Sequence, residues 1–220
     1  MQVTRTISAT ALAGAILLAS ACSTGGPPPV IAPPANFVPL GLGAPYLSGD
    51  VISGRKARAA KMRAAKIRAL TPVAAPSYMA NLEGELRRQT AGIGLDVLRV
   101  GESLVIRIPA ALTFDPGSAA VKPQFDATLL EIARTVKSQN QTFVDVLAHT
   151  DTSGTPQVNQ ALSQKRASAV ASYLSRHGVS SARIASKGYG ETAPLYNPDD
   201  TEQQKAANRR VEIRLVPFRA

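Results

Sequence analysis

Asp151 and Arg166 are the residues of this sequence whose types and spacing suit chemistry. A β-rich run, Thr142 to Ala148, ends at a polar loop carrying Asp151, Ser153 and Gly154. Asn159 then stands where a helix N-cap is expected, ahead of Leu162, Val170 and Leu174 at helical spacing. Arg166 falls about two turns into that helix. One acid therefore sits at the C-terminal end of a strand, and one guanidinium looks back from the helix that follows. A helix N-terminus favours a carboxylate through its free N–H groups and its dipole. Arginine adds a bidentate fork for the same group, and an ionised aspartate holds an ammonium close by. The combination suits a zwitterion, such as one end of an amino acid.

A catalytic reading of the same loop is weaker. His149, Asp151 and Ser153 are close in sequence, but no second histidine is near enough to complete a metal site. No G-x-S-x-G elbow occurs, and the single cysteine, Cys22, lies in a leader-like segment. His149 is expected to be a structural histidine. The expectation is a binding protein with no catalytic residue, metal or cofactor.

Four motifs, H-T-D-x-x-G from His149, N-x-x-L-S-x-x-R-A from Asn159, G-Y-G-E-x-x-P from Gly188 and N-R-R-V-E-I from Asn208, occur in this order. Together they resemble the OmpA-like peptidoglycan-binding domain, over roughly residues 80–217. The resemblance implies a ligand, the free D-centre of diaminopimelate in the peptidoglycan stem peptide. It implies that Arg166 clamps the carboxylate and Asp151 takes the ammonium, with Thr150 beside it and Asn159 and the first helical N–H groups closing the site. Thr113-Phe114-Asp115 matches a further stretch at the pocket edge, with Asp115 as a second polar contact and Phe114 as core or pocket wall. Of Arg209 and Arg210, strand alternation sends one outward and one toward the covered face, and Arg210 is favoured as partner of a pocket acid. The chain departs from the pattern at Ala148, where the family has Gly, and at Gln204-Lys205, where it has Gly-Arg.

The N-terminus carries a different message. Arg5 supplies a positive start, Ala9 to Ala19 is a short apolar run, and Ala19-Ser20-Ala21 precedes Cys22. Such a run is too short for a membrane span and reads as a secretory signal over 1–21. The small-residue triplet resembles a bacterial lipobox, which implies lipidation of Cys22 and residence at the outer membrane, facing the periplasm. Seven prolines between Pro27 and Pro45 make residues 22–50 a disordered tether with polyproline II character.

Residues 51–77 form a basic, alanine-rich segment. Lys and Arg outnumber Asp and Glu by ten over the chain. Most of that excess falls in the seven basic residues between Arg55 and Arg68, and no acid occurs between Asp50 and Glu83. Alanine favours helix here, but the charges scatter around the helix and leave no clean apolar face. Two readings stay open: a solvated linker whose removal leaves the domain folded, or a contact with an anionic envelope surface. Nucleic acid is not expected for an exported chain.

The globular part is expected over 78–220. It contains a short helix from Asn81 to Thr90 and a hairpin, Leu95–Val100 and Leu104–Ile108, turning at Gly101-Glu102. A helix with Pro123 in its first turn carries Phe125, Leu129, Ile132 and Val136 inward. The Thr142–Ala148 strand, apolar on both faces apart from Asp145, calls for cover on both sides. A weak strand near Arg183–Tyr189 and a period-two strand through Val211, Ile213 and Leu215 complete the order β-β-α-β-α-β-α-β. The fold class is α/β of the α+β type: a mixed sheet with crossover helices mainly on one face.

Overall fold

The computed structural model describes Ile52 and residues 54–219. The signal segment, Cys22 and the Pro-rich tether lie outside the described residues.

Five strands form one open mixed sheet: β1 (Asp96–Val100), β2 (Ser103–Pro109), β3 (Thr142–His149), β4 (Ile184–Gly190) and β5 (Arg210–Pro217). Their spatial order is β1-β2-β5-β3-β4. All neighbours pair antiparallel except β3 and β4, which are parallel. The helices are α1 (Arg55–Ala64), α2 (Ala74–Thr90), α3 (Ala110–Thr113), α4 (Pro123–Ser138), α5 (Pro156–Arg176) and α6 (Glu202–Asn208).

The period of two in β2 and β5 is used as the sequence suggests. Leu104, Ile106, Ile108, Val211, Ile213 and Leu215 face one way and join Val144 and Val146 of β3. Onto this face α2 packs Leu82 and Leu86, α4 packs Leu129, Ile132 and Val136, and α5 packs Val170 and Leu174. Burial of each such side chain contributes roughly 1.5–3 kcal/mol.

β3 is buried along its whole length, which requires cover on the second face as well. That cover includes the basic segment. Met62 of α1 is fully buried and packs with Phe143, Val216 and Phe218. Arg58 is also buried: its Nη1 donates to Asp145 Oδ1 at 2.6 Å, while Arg214 Nη2 and the Ile52 N–H reach Oδ2 at 2.9 and 3.1 Å. The linker expectation for residues 55–68 therefore fails at Arg58. A buried carboxylate cannot stand alone in β3, and this arginine is one of its counter-ions. Lys56, Lys61, Arg63, Lys66 and Arg68 do remain exposed. Likewise, α2 begins at Ala74, ahead of the short helix read from the sequence.

Two motif glycines hold β4 against α5. A Cβ at Gly188 would collide with the backbone nitrogen of Gln164 and with Ser163 Oγ. Gln164 Oε1 accepts the Gly188 N–H at 2.9 Å, and Ser163 Oγ accepts the Gly190 N–H at 2.8 Å. The missing side chain is what lets strand and helix approach closely enough to share these bonds.

Candidate functional site

The end of β3, the start of α5 and the α3 loop enclose a cleft of about 630 Å³. Phe114, Asp115, Thr150, Asp151, Asn159 and Arg166 all line it. Residues from three separate stretches of sequence are thus brought together.

α5 is the element that positions most of them, and it begins earlier than expected. Thr155, not Asn159, is its N-cap: the Thr155 hydroxyl accepts the Val158 N–H at 3.4 Å, and Pro156 occupies the first turn. A threonine followed by a proline with preset φ is a helix start that outranks an asparagine four residues on. Asn159 is consequently inside the first turn and buried, and its Nδ2 donates to Asp151 O at 3.2 Å and to Glu191 Oε2 at 2.6 Å. It clamps the Asp151 loop to the helix from within.

Arg166 is 5% exposed. Its Nε donates to Ser118 O at 2.8 Å and its Nη2 to Asp115 O at 3.4 Å, while its Cζ lies 5.2 Å from the Phe114 ring centre. Backbone carbonyls and an aromatic face thereby fix the guanidinium, and Nη1 is left for the cleft. Burial lowers its proton affinity; neighbouring Asp151 opposes that effect and Arg209 adds to it. The group stays charged all the same, because arginine starts far above neutrality.

Asp151 does not pair with Arg166: among the described residues no ion pair joins them. Its Oδ1 accepts the Ser153 N–H at 3.0 Å, and its Oδ2 is ion-paired with Arg209 Nη1. The Thr150 N–H donates to Gly190 O at 2.9 Å, which ties the loop to β4. Thr150 lines the cleft, and its hydroxyl is buried with no hydrogen-bond partner among the described residues. Asp115 carries its carboxylate outward, 3.2 Å from Lys122 Nζ, and its backbone carbonyl is what reaches Arg166.

Arg210 is not in the cleft. It is 2% exposed and pairs with Glu212 on the sheet, Nε to Oε1, at 2.7 Å. The two arginines exchange the roles expected of them, because β5 begins at Arg210 and its alternation turns that side chain onto the face away from α5. Arg209, still outside the strand, is free to turn into the cleft. His149 shares the face of Arg210, buried and stacked on Tyr189 with ring centres 5.3 Å apart. It does not join Asp151 and Ser153. Cys22 lies outside the described residues.

Sequence reading missed a support behind the loop. Asn208 Oδ1 accepts the N–H groups of Leu195 and Tyr196 at 2.7 and 3.0 Å, and its Nδ2 donates to Asp199 Oδ2 at 3.1 Å. Asp199 in turn accepts from the Thr152 N–H at 3.1 Å and from the Thr152 hydroxyl. Burial pushes the Asp199 carboxyl up, but the bonds from Thr152 and Asn208 outweigh it and hold it below its ordinary value. A cis Asn197-Pro198 bond lies in the same loop.

Comparison with known proteins fits this architecture. Residues 113–209 match the OmpA family. The Escherichia coli protein named "Probable lipoprotein YiaD" is 40% identical over 141 residues, 64% of each chain. The "Peptidoglycan-associated lipoprotein" of Pseudomonas putida is 35% identical over 60% of this chain and 81% of its own length. Among solved structures, that of the cell wall anchor of the T6SS from Pseudomonas aeruginosa superposes with a TM-score of 0.55 at 28% identity, over 60% of this chain and 96% of that one. The chain belongs to the OmpA family, and its globular part is an OmpA-like domain.

Proposed function

We propose that this protein binds peptidoglycan without chemical change and so ties the outer membrane to the cell wall. The observation that carries the reading is the opposition, across one cleft, of a fixed guanidinium with a free N–H (Arg166) and a loop carboxylate (Asp151). A carboxylate at Arg166 and an ammonium at Asp151 match the free D-centre of diaminopimelate in the stem peptide. Phe114 walls the cleft, the Thr150 hydroxyl supplies a polar contact, and Asn159 holds the loop in place. Arg209, not Arg210, is the second arginine of the site. The names of the Pseudomonas putida and Pseudomonas aeruginosa relatives agree with a wall ligand. In this reading the outer-membrane end is a lipid on Cys22, reached through the Pro-rich tether, and the domain faces the periplasm.

Purified sacculi test the reading. Full-length protein should sediment with them, and Asp151→Ala and Arg166→Ala proteins should stay in the supernatant while remaining folded. Equal sedimentation of all three excludes the cleft as the binding site.

A second reading has its own support. The matched structure from Pseudomonas aeruginosa is a wall anchor of a larger machine, so the same grip can serve as the wall-binding module of an envelope assembly. The exposed cations Lys56, Lys61, Arg63, Lys66 and Arg68 offer a further contact, with an anionic envelope surface. That component should fade with salt, whereas the cleft's should persist.

A further inference from the structure

Helix α1 turns two kinds of residue in opposite directions. Arg58, Ala59 and Met62 are buried, against Asp145 and the Phe143–Phe218 cluster. At about 100° per residue, Ala57, Ala60 and Ala64 form the ridge that faces away from the sheet. Lys56 and Arg63 flank that ridge on one side and Lys61 on the other, and Lys66 and Arg68 follow just beyond the helix. All five cations are exposed, and no acid of their own segment offsets them, since none occurs between Asp50 and Glu83. At the end of α1 the Ile67 N–H donates to Met62 O at 2.9 Å, which places Lys66 in the left-handed region at φ 59°. Glycine takes such a position without strain. Lys66 is the one non-glycine residue with positive φ among the described residues, and the fold itself gains nothing from a lysine there.

Position in the fold selects what these cations meet. α1 packs on Phe143 near the start of β3, whereas Thr150 and Asp151 of the cleft follow the end of β3. Phe143 and His149 lie roughly 20 Å apart along that strand, so the basic face and the cleft occupy opposite ends of the sheet. With the cleft on the wall, the cations face away from it. We propose that the exposed face of α1 docks on the anionic phospholipid headgroups of the membrane to which the tether leads; this gives a partner to the anionic-surface contact above, and its orientation rests on the wall-binding reading. Cations spread over two flanks, converging on no single point, suit a fluid sheet of headgroups. The small alanines between them let the long side chains reach past the ridge.

The test sediments the full-length chain carrying Cys22→Ser, and hence no lipid, with vesicles of phosphatidylcholine alone or of equal parts phosphatidylcholine and phosphatidylglycerol. Neutral vesicles give the baseline from the apolar N-terminal run. Binding above it is expected on the anionic vesicles in about 0.1 M salt and should vanish in about 1 M salt. A basic residue near an anionic membrane strengthens binding by roughly fivefold. Lys56→Gln, Lys61→Gln, Lys66→Gln and Arg68→Gln made together should therefore weaken it at least about 25-fold, two charges' worth. Arg63, which stacks on Phe218, is kept. Changing the three lysines to arginine should preserve binding. Lys66→Gly should hold or raise the urea midpoint and still cost about fivefold on vesicles. Equal binding of wild type and the quadruple variant overturns the proposal. So does competition by inorganic phosphate beyond that of chloride at equal ionic strength, which marks a phosphate site instead of a membrane surface. Salt-sensitive binding to sacculi but not to vesicles also overturns it and assigns the cations to the wall. Arg166→Ala keeps the two readings apart: it should lose sacculi and keep vesicles, while the quadruple variant loses vesicles and keeps sacculi. If Arg166→Ala retains sacculi, the cleft reading falls and the vesicle result still decides the role of α1.

Discussion

The side-chain amide of Asn208 donates to Asp199 Oδ2 at 3.1 Å, and the same oxygen accepts the N–H of Thr152, the residue after Asp151. Asn208 directly precedes Arg209. One short stretch thus supplies both the support beneath the Asp151 loop and the cation on top of it. The N-R-R motif divides its labour three ways: Asn208 clamps the loop, Arg209 reaches the cleft, and Arg210 neutralises Glu212 within the sheet.

This arrangement predicts that Asp199→Asn weakens wall binding without unfolding the domain. Asn208→Ala is harsher, because it orphans the N–H groups of Leu195 and Tyr196, at a cost of about 1–3 kcal/mol for a buried group. Denaturant melts should show a lower midpoint for Asn208→Ala, and sacculus binding should fall in both variants. Unchanged binding in Asp199→Asn means that the loop keeps its shape without this support.

Deletion of residues 51–70 is expected to destabilise the domain, contrary to what charge counting suggests. Arg58→Ala alone should lower stability by about 3–5 kcal/mol, the loss seen when one member of a buried ion pair is removed. Equilibrium unfolding in urea measures this. A loss below about 1 kcal/mol would mark the pair as dispensable, with Arg214 alone sufficient for Asp145.

Acid should weaken the fold in two stages. His149 is pushed down to about 3, first by burial and next by Arg210, so between its ordinary value and 3 the unfolded chain takes up a proton that the folded chain refuses. Stability therefore falls as pH drops through that range. Glu212 is held at about 2: burial would raise it, but the guanidiniums of Arg210 and Arg107 outweigh that effect. Its stabilising contribution is present above its ordinary value of 4.5 and is lost as pH falls toward 2. His149→Gln should flatten the upper part of the stability–pH curve, from about pH 6.5 downward. A curve with wild-type slope there contradicts the buried neutral histidine.

Much of this architecture was legible because it is written in local pattern. The alternation of Leu104, Ile106 and Ile108, the helical spacing from Phe125 to Val136, and the doubly apolar β3 each announced their faces. Asp151 and Arg166 could be assigned to one cleft because a strand–loop–helix unit fixes their separation. What failed was non-local or depended on one residue of register. The burial of Arg58 answers to Asp145, 87 positions away. Choosing between Arg209 and Arg210 required knowing where β5 begins, and Asp199 sits in a loop with no periodicity. The start of α5 was a different case: Thr155-Pro156 is a visible signal that Asn159 overshadowed.

The most direct test of the central claim pairs a change in the protein with a change in the ligand. Binding of a stem tripeptide with its diaminopimelate D-centre carboxylate free or amidated is measured on wild type and on Arg166→Ala. Loss of a charge-assisted contact of this kind costs about 2–5 kcal/mol, so either change alone should weaken binding severely. Made together, they should cost little more than one, because both remove the same contact. Additive losses would show that Arg166 does not touch that carboxylate, and the account of the cleft would be wrong.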